Sequence, residues 1–204
     1  NPCIGLQALL QSYQIKDEYE VADIVFGIGP KINAAGRIAD AKSSVKLLIE
    51  EDFHQAMFLA KTLIENNTER KDIDNDITKE ALEILERDHV LRHKKSTVLY
   101  SEKWHKGVIG IVASRLLDHY YKPTVILTKS NGFASGSARS VNGFDLYQAV
   151  DSCSDLLENF GGHKYAAGLS LKHENLHEFT ERFERIVAQK VEEQMLVPEI
   201  EVDA

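Results

Sequence analysis

The feature that most constrains the fold of this chain is a long segment, from Asp52 to Asp88, that contains neither Gly nor Pro. Asp52 followed by Gln55 is a pattern typical of a helix start, because an aspartate can cap the backbone N–H groups of the first turn. The sequence therefore predicts one helix over residues 52–88. At 1.5 Å per residue such a helix is about 54 Å long.

The inward-facing positions of this helix, spaced alternately by three and four residues, are apolar at both ends and polar in the middle. Asn67, Arg70 and Asp74 occupy successive central positions. A polar centre cannot bury against one continuous core, so we expect a strut whose ends belong to two domains and whose middle crosses solvent. The competing interpretation is the seam of a coiled-coil dimer, which the same three residues would weaken severely.

Before the long helix the sequence predicts helices over residues 4–13 and 42–50. Between them, a short helical run after Tyr19 is predicted to break at Gly27, Gly29 and Pro30. The segment after this break carries Lys31, Asn33 and Arg37 among small residues. Cations and an amide beside small residues suit a loop that binds an anion. A solvated corner between helices is the alternative interpretation.

From Ser96 onward, strand patterns alternate with helix patterns, which indicates a compact α/β domain of about 100 residues. Strands are predicted at 97–100, 123–127, 133–140 and 166–171. Helices are predicted from 107, from Asp145 through Leu157 and, capped by Asn175 and Glu178, from there to about residue 193. The fold class is thus α/β, and the domains are predicted at 1–51 (a helical remnant), 52–88 (the connecting helix), 89–195 (the α/β domain) and 196–204 (the start of a following domain).

Two segments of the α/β domain place donors beside small residues. His105 and Lys106 precede the helix that Gly107 opens, where the helix N-terminus attracts anions. Ser137 and Arg139 are two apart in a predicted strand, so their side chains share one face. The pair could hold a phosphate, with Arg139 bidentate, or could simply line an edge strand.

A third such segment runs from Phe160 to Leu171. Gly161 and Gly162 precede His163 and Lys164, and a further glycine follows at position 168. Glycines permit close approach to the backbone, and the two following side chains offer donors beside that opening. The alternative is that the two adjacent glycines only form a turn before a strand.

Composition restricts the function classes. The formal net charge of −8 argues against non-specific coating of nucleic acid, although it leaves room for a local basic groove. No apolar run approaches the roughly 20 residues of a membrane span. Cys3 and Cys153 match no metal spacing, so a reducing, cytoplasmic setting is expected. Asn1-Pro2-Cys3 is neither an initiator nor a signal peptide, and we expect the chain to be a piece of a longer protein.

Candidate metal ligands are sparse. Asp88-His89 is an isolated pair, and His173 and His177 have the i, i+4 spacing of a metal-binding helix. Asn175 is predicted to cap the last helix, which leaves His173 outside it. Both pairs are interpreted as solvated surface residues.

Four segments together resemble one family, the RecJ single-strand-specific exonucleases, over nearly the whole chain. They are Gly29-Pro-Lys-Ile-Asn-Ala-Ala-Gly-Arg37, Trp104-His-Lys-Gly-Val-Ile-Gly-Ile-Val-Ala-Ser-Arg115, Gly136-Ser-Ala-Arg-Ser-Val-Asn-Gly-Phe-Asp145 and Gly161-Gly-His-Lys-Tyr-Ala-Ala-Gly168. The last segment alone is less specific, because the DHH-associated module also occurs in oligoribonucleases, cyclic-dinucleotide phosphodiesterases and alanyl-tRNA synthetases. The family has Arg where this chain has Lys31, which loses the bidentate fork.

The resemblance implies a 5′ to 3′ exonuclease that acts on single-stranded DNA in recombination and repair, with two Mn²⁺ or Mg²⁺ ions. In the family these ions are held by an upstream domain with an Asp-His-His motif, which this chain lacks, so no metal ligand and no catalytic residue is expected here. His163 is a possible support. The resemblance implies that the substrate-binding residues are Asn33, Arg37, His105, Ser137, Arg139, Gly161, Gly162 and His163.

The implied partners are single-stranded DNA and a single-strand-binding protein, and a monomer is expected. Two alternatives stay open. One is a DHH-family oligoribonuclease or cyclic-dinucleotide phosphodiesterase, and the other is a non-catalytic nucleic-acid-binding module.

Overall fold

The computed structural model describes residues 2–13 and 18–198. The chain forms two compact units, Asn1–Ile73 and Asp74–Ala204, and the division falls within the long helix. The predicted start of a following domain at 196–204 lies, from residue 199 onward, outside the described residues. No helix in the described ranges combines the length and the apolarity that crossing a membrane requires.

The first unit is helical. Its helices are α1 (Ile4–Tyr13), α2 (Gly29–Ile38), α3 (Lys42–Ile49) and the first part of α4 (Phe53–Arg87). They bury an aliphatic core around Leu9, Ile28, Leu47 and Leu63, each of which is fully buried. Burial of these apolar side chains is the main source of stability for the unit.

The predicted break at Gly27, Gly29 and Pro30 is wrong. A π-helical segment, Asp23–Ile28, continues directly into α2, and Gly29 has right-handed helical angles. Pro30 falls in the first turn of α2, where its fixed φ of about −65° fits the helix. The predicted anion-binding loop is therefore a helix.

The long helix α4 extends from Phe53 to Arg87, and Asp52 Oδ1 accepts a hydrogen bond from Gln55 N at 2.8 Å. The predicted helix and its cap are confirmed. The expectation that its polar middle crosses solvent is wrong, because Asn67 and Asp74 are both buried. Arg70 donates to Asn67 at 3.0 Å, and Asp74 has an arginine partner described below, so the cost of burying these polar groups is offset by pairing.

The second unit is a mixed α/β fold around a five-stranded sheet of order β1-β2-β3-β5-β4. The strands are β1 (Thr97–Tyr100), β2 (Thr124–Ser130), β3 (Phe133–Arg139), β4 (Leu157–His163) and β5 (Ala166–Leu171). The helices after α4 are α5 (His89–His93), α6 (Ile109–Tyr120), α7 (Leu146–Asp151) and α8 (Leu176–Lys190). Strands β1 and β2 are parallel, joined by α6, and the other pairs are antiparallel.

The sequence missed β4. Asp145 does cap α7, since its Oδ1 accepts from Gln148 N at 3.0 Å, but α7 ends at Asp151 instead of Leu157. A short 3₁₀ turn, Ser154–Leu156, then leads into the strand. Asn175 precedes α8 without capping it, because its side-chain amide donates to Leu156 O instead.

The two faces of the sheet differ in chemistry. On one face Leu169, Leu171 and Ala138 join the core formed with α7 and α8. Helix α6 packs on the other face, over β2 and β3. On that second face, β5 and β4 present small and polar residues, and several of these are exposed. We call this second face, from β3 to β4, the polar face; its residues in the register of the sheet are Ser135, Ser137, Arg139, Ala166, Gly168, Ser170, Asn159, Gly161 and His163.

Candidate functional site

Ser137 and Arg139 lie next to each other on the polar face. Arg139 Nη1 donates to Ser137 Oγ at 3.0 Å and to Ala138 O at 2.8 Å. Both side chains are partly exposed. The prediction that these two residues share a face of the strand is confirmed, and the contacts hold the planar guanidinium in one orientation. A fixed guanidinium suits bidentate binding of a phosphate.

Gly110, in the first turn of α6, lets the helix approach this pair closely. A methyl group at Gly110 would lie 3.1 Å from Ser137 Oγ and 3.2 Å from Arg139 Nη2. The guanidinium therefore sits against the helix N-terminus, which carries a partial positive charge. An anion bound beside them would be attracted by both the guanidinium and the helix N-terminus.

Two glycines continue the polar face next to Ser137. In the register of the sheet Ser137 is opposite Gly168, and Gly168 is opposite Gly161. A methyl group at Gly161 would meet no atom within 4 Å, and one at Gly168 would come no closer than 4.0 Å to another atom. Packing does not require glycine at either position. The result is a strip of exposed backbone beside the Ser137–Arg139 pair.

Gly162 is a glycine for a different reason. Its φ is +155°, and a methyl group there would lie 2.2 Å from Ala166 O. The backbone of β4 therefore needs a glycine at this position. Of the predicted site glycines, Gly162 shapes the strand, whereas Gly161 leaves the surface bare.

His163 ends β4 on the same row as Arg139, because both are in register with Ala166. The imidazole is exposed, and its Nδ1 accepts a hydrogen bond from Tyr165 N at 3.3 Å. This bond leaves Nε2 as the ring nitrogen that can face a ligand. The structure thus brings Ser137, Arg139, Gly161 and His163 together on one face.

His105 occupies the turn before α6. Its Nδ1 accepts from Gly107 N at 3.2 Å, and its carbonyl accepts from Val108 N and Ile109 N. These three N–H groups are bonded to His105, so an anion at this helix start would meet the His105 imidazole and the positive end of the helix dipole rather than those three donors. The imidazole of His105 is exposed and lies in the turn that leads into α6.

Asn33 and Arg37 belong to the first unit, one turn apart on the exposed side of α2. Lys31 has a different environment. It is 7% exposed, its Nζ lies 3.7 Å from the centre of the Tyr13 ring, and it donates to Gly27 O. Burial, and secondarily the charge of Lys71, lower the pKa of Lys31. Lys31 is thus engaged within its own unit and is not placed to bind a phosphate.

Metal ligands do not cluster in the described ranges, where no three His, Cys, Asp or Glu side chains come together as a site. The residues of these ranges thus do not fit a metal centre. Asp88 caps α5, with its Oδ1 accepting from Val90 N and Leu91 N. His173 and His177 are exposed, as predicted, and His173 packs edge-on against Tyr100 at 5.1 Å.

The candidate substrate-binding residues from the sequence omit Gly110 and Gly168. Gly110 interrupts an apolar helical stripe, and an isolated glycine in a helix signals close approach of another group. Its partner could not be identified without the packing of α6 on β3. The sequence already marks Gly168 as a position of close approach, and the register adds that it is opposite Gly161.

Comparison with known proteins identifies the second unit. Residues 93–189 match the family described as the DHHA1 domain. The single-stranded-DNA-specific exonuclease RecJ of Bacillus subtilis is 38% identical over 180 residues, which cover 87% of this chain and 23% of that protein. The RecJ of Escherichia coli is 32% identical over 210 residues, covering 98% of this chain and 36% of that protein. The chain thus spans between about a quarter and a third of the length of these relatives.

Solved structures agree with the sequence relatives. The crystal structure of RecJ in complex with Mn²⁺ from Thermus thermophilus matches 91% of this chain and 27% of that chain, with a TM-score of 0.81 and 30% identity. The same protein has been solved in complex with Mg²⁺, with the same TM-score. Residues 93–189 of this chain thus match the DHHA1 domain, and most of the chain is similar in sequence and in structure to the RecJ single-stranded-DNA-specific exonucleases.

Proposed function

We propose that this chain forms the nucleic-acid-binding and phosphate-binding part of a single-stranded-DNA-specific exonuclease that digests from 5′ to 3′ in recombination and repair. The observation that carries the proposal is the Arg139 guanidinium, held by Ser137 against the first turn of α6. The names of the relatives supply the substrate class, since those proteins are described as specific for single-stranded DNA.

The polar face supplies what a single strand needs from its protein. Arg139 and Ser137 offer charged and neutral donors for one phosphodiester. The exposed backbone at Gly161 and Gly168 lets the DNA strand pass within van der Waals distance of the β-sheet. His163, at the edge of the same row, adds an imidazole donor for an adjacent phosphate or sugar oxygen.

Asn33 and Arg37 extend the proposed set of substrate ligands to the first unit. They are one helical turn apart, so their side chains lie on the same side of α2 and could contact successive groups of a backbone. His105 is the remaining member of the set. Gly162 supports the site by shaping the strand that carries His163.

The hydrolysis itself is proposed to depend on Mn²⁺ or Mg²⁺ ions held by residues outside this chain. Such ions would activate water and stabilise the leaving oxygen. What the residues of this chain do is bind and orient the strand, and fix one phosphate by the contacts of Arg139. The chain by itself is accordingly proposed to be inactive as a nuclease. We further propose a cytoplasmic, monomeric protein that can meet a single-strand-binding protein on its substrate.

The test compares this chain with the full-length protein that contains it, using 5′-phosphorylated single-stranded DNA and Mn²⁺. The full-length protein is expected to degrade the DNA, and the 204-residue chain alone is not. In the full-length protein, Arg139→Ala should lower kcat/KM. The corresponding loss of transition-state stabilisation is about 1.5–3 kcal/mol, the range for hydrogen bonds to charged groups. Arg185→Ala, an exposed arginine on α8 that packs on the opposite face, is the matched control.

Two outcomes would contradict the proposal. One is processive degradation by the chain alone, and the other is an unchanged kcat/KM in the Arg139→Ala enzyme. A parallel assay with a dinucleotide substrate checks the substrate class, because an enzyme that prefers the dinucleotide would belong with the phosphodiesterases for short RNA or cyclic dinucleotides.

A further inference from the structure

Trp104, the only tryptophan of the chain, lies directly before His105 in the segment that leads into α6. The residue is 4% exposed. A buried indole N–H needs a hydrogen-bond acceptor, because an unpaired donor in the interior is costly. Here the acceptor is a carboxylate, since Trp104 Nε1 donates to Glu80 Oε2 at 3.0 Å. Glu80 belongs to the part of α4 that lies in the second unit.

The carbonyl of Trp104 is held on the side of the sheet that carries Ser137 and Arg139. Thr128 is fully buried, and its Oγ1 donates to Trp104 O at 2.6 Å. Thr128 is in register with Ser135, which is two residues before Ser137 on β3, so these side chains share one face of the sheet. Trp104 is therefore bonded both to α4 and to the face on which the candidate site lies.

A short segment connects the tryptophan to the candidate site. His105 accepts hydrogen bonds from the N–H groups of residues 107–109, so the turn and the start of α6 are bonded to each other. Gly110 is the position at which α6 meets the Ser137–Arg139 pair, since a methyl group there would lie within 3.2 Å of both side chains. A displacement of the indole would therefore be transmitted to the imidazole of His105 and to the first turn of α6.

We propose that Glu80 is a positioning residue of the nucleic-acid site. Its carboxylate holds the Trp104 indole and thereby sets the positions of the His105 imidazole and of the first turn of α6 relative to Arg139. A carboxylate suits this role, because a hydrogen bond to an ionised acceptor is stronger than one to a neutral acceptor. This inference rests on the proposed function, because it assigns the residue that positions the same site.

The sign of one effect separates positioning from simple electrostatics. Removing a negative charge from a protein favours binding of DNA, whose phosphates are negative. Glu80→Ala is nevertheless expected to weaken binding of a fluorescently labelled, 5′-phosphorylated octathymidine by roughly 3- to 10-fold, the equivalent of one ordinary hydrogen bond. Glu86→Ala removes the same charge from an exposed position on α4 and is the matched control, with an affinity equal to or slightly higher than that of the unmodified chain. Anisotropy of the 204-residue chain measures both.

Glu80→Gln is the conservative variant that tests the hydrogen bond itself. It lacks the charge but keeps a side-chain oxygen that can accept from the indole. Its DNA affinity should return to within about twofold of that of the unmodified chain, since the bond is weakened and not removed. An unchanged affinity of Glu80→Ala, or an affinity of Glu80→Gln as low as that of Glu80→Ala, would overturn the inference.

NMR spectra without DNA separate positioning from a purely structural role. As the only tryptophan, Trp104 gives a single indole N–H signal. Glu80→Ala should shift this signal together with the Gly110 amide and the Arg139 Nε–H signals, whereas Glu86→Ala should leave all three in place. A Glu80→Ala chain with a lower urea midpoint but unchanged Gly110 and Arg139 signals would show that the bond only stabilises the fold, which would overturn the inference.

The DNA titrations also separate this inference from the proposed function. If Arg139→Ala weakens binding and Glu80→Ala does not, only the positioning role fails. If the unmodified chain does not bind the octamer, or Arg139→Ala binds it equally well, the proposed function fails and the positioning role fails with it.

Discussion

Arg139 Nη1 donates to Ser137 Oγ at 3.0 Å, so that a hydroxyl two residues away on the same strand holds the guanidinium in place. We predict that Ser137→Ala weakens binding of single-stranded DNA by about 0.5–1.5 kcal/mol, the usual range for one neutral hydrogen bond. Titration by anisotropy measures the effect. Ser152→Ala, directly after α7, removes a hydroxyl that is bonded to Gln148 O away from the polar face, and it should leave the affinity unchanged. Equal affinities of the Ser137→Ala and unmodified chains would contradict this role.

The glycines of the β4–β5 hairpin should divide into two classes. Gly161→Ala and Gly168→Ala are expected to fold with unchanged or slightly higher stability, since a methyl group has room at both positions and glycine costs about 0.5–1 kcal/mol in a strand. Both variants should bind DNA more weakly, because the added methyl group keeps the DNA strand away from the protein backbone.

Gly162→Ala is the contrasting variant. It should lower the free energy of unfolding by at least about 1–3 kcal/mol, because its backbone angle and the contact with Ala166 O both exclude a side chain. Urea unfolding and DNA titration of all three variants check both claims. A Gly161→Ala chain that binds normally would show that the exposed strip is not used.

Asp74 and Arg115 form an ion pair that fixes α4 in the second unit. Asp74 has a fully buried side chain (0% exposed), with Oδ2 2.7 Å from Arg115 Nη2, and Arg115 Nη1 also donates to Asn75 Oδ1 at 2.8 Å. Arg115→Ala should destabilise the fold by about 3–5 kcal/mol, since it leaves a buried carboxylate without its cation. Arg87→Ala removes the arginine of an exposed pair with Glu83 and should cost about 1 kcal/mol or less. Urea midpoints measure both, and equal losses would argue against the buried pair.

Lys31 should affect stability and its pH dependence without affecting DNA binding. Burial lowers the pKa of Lys31 below the ordinary 10.5. As the pH rises, Lys31 therefore loses its proton in the folded chain at a lower pH than in the unfolded chain. The stability of the unmodified chain should therefore increase relative to Lys31→Met as the pH approaches 10.5. Unfolding midpoints between about pH 7 and the ordinary lysine pKa test this, and a constant difference between the two chains would contradict it. DNA affinity at neutral pH should be the same for both.

Much of the second unit could be predicted because its signals are local. The alternation in β3 placed Ser137 and Arg139 on one face, and Asp145 caps the helix that it was predicted to start. Strand β4 could not be predicted in this way, because its glycines at 161 and 162 have low strand propensity. Its pairing with β5, a tertiary interaction, is what makes it a strand.

The first unit shows the opposite limitation. Glycine and proline at 27, 29 and 30 are signals for a break, yet the π-helical segment Asp23–Ile28 continues into α2 without one, and Ile28 at the junction is buried in the core. Likewise, the buried state of Asp74 depends on Arg115, which is far away in sequence. Partners distant in the chain decide both features, and a local pattern does not contain them.

The most direct test of the account is to map DNA binding residue by residue. Backbone amide NMR spectra of the 204-residue chain, titrated with 5′-phosphorylated octathymidine, should shift at Gly110, Ser137, Arg139, Gly161 and Gly168. Amides of α7 and α8, on the opposite face of the sheet, should not shift. Perturbations confined to α7 and α8, or an absence of perturbations on the polar face at saturating DNA, would contradict the claim that this face binds the strand.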